Sequence, residues 1–177
     1  MSSAAERAAL IARQGAGARW DAAEAPVDSL LLARRGTAYF ARLLNGLRDE
    51  ALVDCSSLPG RTRAHVIAHV RYHARGLARL VAAARTGAEG PVDKADIALA
   101  ASLPARALRG LFAHAALHLD VEWRDLPGPA WDAPMQGRAG LTMRETPMIR
   151  ARVIWQAALD LDAGGRARDI PEAAGLR

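Results

Sequence analysis

The sequence predicts an all-α protein: a four-helix bundle with an additional N-terminal helical element. Three observations lead there. Hydrophobic residues make up 51% of the 177 positions but aromatics only 5%, and the bulk is alanine, leucine and arginine, which favour helix over sheet. Apolar positions recur at helical spacing in four long segments. Proline and glycine separate those segments. A chain of this length is one domain with a sizeable core.

Residues 4–13 predict a short helix before the breaks at Gly15, Gly17 and Pro26. Residues 1–27 thus read as an N-terminal extension and 28–177 as the bundle domain. Asp28 or Ser29 is the expected cap of the first long helix, whose apolar row includes Leu31, Leu32, Tyr39, Phe40, Leu43, Leu44 and Leu47. That helix is expected to fade near Asp54. After Pro59-Gly60, Thr62 is the expected N-cap of a second helix running to about Arg85 and stopped by Gly87. A loop with Pro91 follows, then a third helix over about 103–123, starting after Pro104. Pro127, Gly128 and Pro129 end it. The fourth runs from near Glu145 to Asp162, with Gly164-Gly165 as its stop. Trp123, Trp131 and Trp155 are expected in the core or at its corners.

Composition narrows the function. The net charge of +5 is spread along the chain rather than gathered in a basic tail, which argues against nucleic acid. All but one of the 24 basic residues are arginine, Lys94 being the exception. Arginine's planar fork of donors suits small carboxylates. No apolar run approaches the ~20 residues of a membrane span, the first residues lack the apolar core of a secretory signal, and the single Cys55 cannot form an internal disulfide. A cytoplasmic location is the expectation. No glycine-rich phosphate loop, CxxC pair or GxSxG elbow is present.

All five histidines fall on two helical ladders: His65, His69 and His73 on the second helix, His114 and His118 on the third. A spacing of four puts side chains on one face, within reach of a shared ion. Neutral imidazoles suit zinc or a similar divalent metal. A set of His69 with His65 and His73 is therefore a candidate metal site, set against roles in a metal-free pocket or in structure alone.

Residues 58–73, LPGRTRAHVIAHVRYH, and 150–164, RARVIWQAALDLDAG, complete the reading. Together they resemble the mycothiol-dependent maleylpyruvate isomerase family, a branch of the DinB-like metalloenzymes, whose motifs run LPGWTRGHVxAH and RxREVxVHxVDLxAG. The resemblance spans about residues 28–172, including Ala84-Arg85-Thr86-Gly87, Pro129-Ala130-Trp131-Asp132 and Asp169-Ile170-Pro171-Glu172. It implies a DinB-like bundle and a metal held by the second histidine of the first motif plus the Glu and His of the second. It also implies isomerisation in which a low-molecular-weight thiol adds to a conjugated double bond, the bond rotates and the thiol leaves.

Here the first ligand is His69, but Val153 and Ala157 stand at the other two positions, and neither side chain has a donor atom. Arg61 replaces the usual Trp. Many members continue into a smaller C-terminal domain beyond the point where this sequence ends. The resemblance thus implies an isomerase or thiol-dependent transferase acting on a small carboxylate or thiol conjugate, with altered or absent metal dependence. The alternative is a non-catalytic ligand-binding or interaction module. His69, Arg63 and Arg152 are the candidate catalytic residues. Arg150 and Gln156 are the candidates for holding a thiol cofactor, in a cavity lined by Val153 and Ala157. A homo-oligomer fits either reading.

Overall fold

The computed structural model describes residues 20–88 and 94–176. Its architecture is the expected helical bundle: α1 (Val27–Gly46), α2 (Arg63–Thr86), the short α3 (Ile97–Ala101), α4 (Ala105–Asp125) and α5 (Thr146–Asp160), joined by turns and short 3-10 segments. Among the described residues there are no strands, only the isolated bridges Cys55–Thr62 and Pro134–Thr142. The element expected over residues 4–13 lies outside the described residues.

Around the bundle, α1 lies against α5 and α4, and α2 against α4 and α5. The core between them holds Leu30, Phe40, Leu44, Ile67, Leu108, Leu119 and Ile154. Phe40 and Phe112 meet with ring centroids 5.1 Å apart. Trp123, Trp131 and Trp155 are all buried, as expected. Gly36 lets α1 and α5 approach closely, since a Cβ there would stand 2.7 Å from Ile154 Cγ2 and 2.8 Å from Trp155 Nε1. The same indole N–H donates to the Leu32 carbonyl at 3.1 Å.

Local chemistry sets the helix ends. Thr62 starts α2 and Gly87, at φ +71°, stops it in the left-handed region that glycine adopts without strain. Thr142 and Glu145 form a capping box before α5, and Pro147 sits in its first turn, where the missing N–H costs nothing. Two expectations need correction. Neither Asp28 nor Ser29 caps α1, which begins directly after Pro26, and α1 ends at Gly46 rather than near Asp54. Beyond Gly46 the backbone extends at Leu47 and resumes as a 3-10 turn over Asp49–Val53. The loop expected ahead of the third long helix also contains α3, capped by Asp96, whose carboxylate accepts from Leu99 N–H at 2.9 Å.

Candidate ligand cleft

Where α2 and α5 run side by side, a cleft of about 470 Å³ opens, with α3 contributing Ile97 to its edge. Val66, Val153 and Ala157 give it apolar walls. His65, His69, Arg61, Arg152, Gln156 and Asp160 supply the polar groups. A mostly apolar cleft of this size with a few convergent polar groups is a typical small-ligand site.

The sequence positions these side chains by simple helical arithmetic. His65 and His69 are one turn apart on α2, and Val153, Gln156, Ala157 and Asp160 share the cleft-lining face of α5. His69 is exposed and looks into the open cleft, not into the closed bundle interior. The small Ala157 and the short Val153 line the same cleft. The Gln156 amide donates to Asp160 Oδ1 at 2.8 Å, which holds both at one end of the cleft.

His65 belongs to the α2 cap. The Thr62 backbone N–H donates to His65 Nδ1 at 3.3 Å, and the Thr62 hydroxyl lies 2.8 Å from the same nitrogen. With Nδ1 accepting, the proton of the neutral ring sits on Nε2, so that nitrogen is a donor and has no lone pair for a metal.

The remaining expected site residues lie elsewhere. His73, a further turn along α2, sits with Nδ1 3.4 Å from Arg150 Nη1. Burial, then the neighbouring Arg150 charge, pushes its pKa down to about 3. Neither His73 nor Arg150 lines the cleft. Arg150 is buried on the core row of α5 that continues through Ile154 and Ala158. Arg63 is also absent from the cleft wall. Its guanidinium donates to the carbonyls of Leu161 at 3.1 Å, Asp162 at 2.8 Å and Ala51 at 3.2 Å, and to Asp54 Oδ2 at 3.1 Å. It ties the start of α2 to the end of α5. His114 and His118 lie on the exposed face of α4, where His118 Nε2 is 3.2 Å from Glu122 Oε1.

Sequence reasoning did not place Arg61, Leu58, Ile97 or Asp160 at the site. Arg61 carried a signal, since it stands where the resembled motif has Trp.

Residues 33–162 match the family described as the mycothiol maleylpyruvate isomerase N-terminal domain. The chain belongs to this family. Two solved structures resemble it equally: the mycothiol-dependent maleylpyruvate isomerase and a histidine-to-alanine mutant of it. Each is 37% identical in sequence with a TM-score of 0.78, over 84% of this chain and 65% of the solved one. The chain thus spans just under two thirds of the length of those isomerases. No curated protein sequence matches it.

The metal implied by this family does not fit the residues present. Of the side chains lining the cleft, Val153 and Ala157 have no donor atoms, and His65 is engaged through Nδ1. Among the described residues no group of three or more His, Cys, Asp or Glu side chains is gathered closely enough to hold an ion. A lone imidazole such as His69 binds divalent metals weakly. No helix among the described residues is long and apolar enough to cross a membrane.

Proposed function

We propose that this maleylpyruvate-isomerase-like protein binds a small, partly apolar carboxylate, or a thiol conjugate carrying one, in the His69 cleft. It acts on that ligand without the family's three-ligand metal. The observation that carries the reading is the cleft itself: apolar walls where the resemblance places metal ligands, with His69 and two arginines around them.

In this reading Arg152 and Arg61 receive the carboxylate, since a guanidinium can give it two parallel hydrogen bonds. Val66, Val153 and Ala157 bury the apolar part of the ligand. The His69 imidazole accepts the proton of an incoming thiol, so that the thiolate adds to a conjugated double bond. After rotation the thiolate leaves and recovers the proton from His69. Gln156, held by Asp160, orients the ligand.

The test is turnover of a conjugated unsaturated acid with a low-molecular-weight thiol in the presence of a chelator. The expected result is turnover that survives chelation and is lost in His69→Ala, while carboxylate binding remains. Turnover abolished by the chelator would contradict it. A second reading, a binding module without catalysis, draws on the same Val153 and Ala157, which remove the donors that would activate a thiol. It predicts carboxylate binding with no turnover for any thiol.

A further inference from the structure

A second cleft, of about 350 Å³, opens across the bundle between α1 and α4. Its walls are apolar, with Ala38 and Ala41 from α1 and Phe112, Ala116 and Leu117 from α4. Arg150 of α5 reaches it from the core.

Arg150 is 1% exposed and has no carboxylate partner among the described residues. Its Nη1 donates to the Val70 carbonyl at 2.9 Å, whereas Nε and Nη2 are buried with no hydrogen-bond partner among the described residues. Leaving such donors unmade is costly, and a buried unpaired charge costs more. Burial alone pushes its pKa down to about 9, so it remains a cation at neutral pH. Nε and Nη2 form one flat edge of the guanidinium, the edge that takes a carboxylate in two parallel hydrogen bonds.

The other charges at this cleft are already matched. Arg34 bonds Asp21 through two nitrogens, at 2.6 and 2.7 Å, and Asp120 through Nε at 2.7 Å. The second oxygen of Asp120 accepts from Arg124 at 2.6 Å. The one charge lining this cleft without a counter-charge among the described residues is that of Arg150; its Nε and Nη2 are closed to solvent, so a carboxylate reaches them only where the cleft opens at that side chain. One negative charge and a short apolar body match it, and the volume sits at the small end of the roughly 300–1,000 Å³ usual for ligand pockets.

We propose that this cleft binds a small monocarboxylate, its carboxylate on the Nε–Nη2 edge of Arg150 and its apolar body against Phe112, Ala116 and Leu117. The site is separate from the His69 cleft and does not rest on the function proposed there.

The experiment is calorimetric titration of the full chain with hexanoate, benzoate and the uncharged 1-hexanol. Wild type, Arg150→Met, Ala116→Trp and Val153→Trp are compared. Wild type should bind the acids saturably and hexanol at least roughly tenfold more weakly, a difference that a charge-assisted bidentate contact supports. Binding should be lost in Ala116→Trp, which fills the cleft, and in Arg150→Met, which removes the charge. It should persist in Val153→Trp, which blocks only the His69 cleft. No saturable acid binding by wild type, hexanol binding as tightly as hexanoate, or binding that survives Ala116→Trp would each overturn the proposal. If Arg150→Met does not fold, the hexanol comparison and Ala116→Trp still decide.

Discussion

His73 and Arg150 meet inside the bundle, Nδ1 to Nη1 at 3.4 Å, so one of the chain's five histidines stands beside a buried cation. Burial, and then the Arg150 charge, makes the folded protein resist protonating His73, whose pKa falls from the ordinary 6.5 to about 3. The unfolded chain takes up that proton near the ordinary value. Stability from this group is complete above the unfolded pKa. It declines by roughly 1.4 kcal/mol per pH unit as the pH falls toward the folded one. In His73→Asn, urea unfolding at stepped pH should show a shallower loss of stability between about pH 6 and pH 4. Equal slopes in variant and wild type would mean that His73 is freely protonated in the folded state.

Arg63 is expected to act on stability and not on the ligand. Arg63→Ala removes a donor from three backbone carbonyls and from Asp54, and should cost about 2–3 kcal/mol. Carboxylate affinity at the His69 cleft should stay close to wild type. A variant that melts like wild type but no longer binds the acid would return Arg63 to the ligand site.

What the sequence made legible follows from the range of the interactions involved. The ends of α2 depend on Thr62 and Gly87, which act within one turn, and both were readable. The five residues of α3 are too few to show a helical period, and Gly46 ended α1 where an apolar row appeared to continue. At the site, His69, Val153, Gln156, Ala157 and Arg152 were legible as neighbours, because two motifs with helical spacing put them on two facing surfaces. The other two motif arginines were not. Arg63 and Arg150 sit in motifs just as Arg152 does, but they also donate to carbonyls 98, 99 and 80 residues away, which local pattern cannot reveal. The three-histidine ladder on α2 was visible too. The cleft reaches two of its members, and the third meets Arg150 instead.

Restoring donors to α5 should restore a metal centre. Val153→Glu together with Ala157→His puts a carboxylate and an imidazole on the cleft wall that His69 shares, and three such ligands with an open position suit zinc. Elemental analysis of untagged protein should find about one zinc per chain in the doubly substituted protein, and His69→Ala added to it should remove the metal. A folded double variant with no more zinc than wild type would mean that Val153 and Ala157 do not occupy the family's ligand positions.

Binding in the His69 cleft without metal is tested most directly by calorimetric titration of small unsaturated carboxylates into the protein in excess chelator. The account predicts saturable binding that weakens roughly tenfold in Arg152→Ala and disappears in Val153→Trp, which fills the space beside His69. Absence of binding by every acid in chelator, or binding that Val153→Trp leaves unchanged, would contradict it.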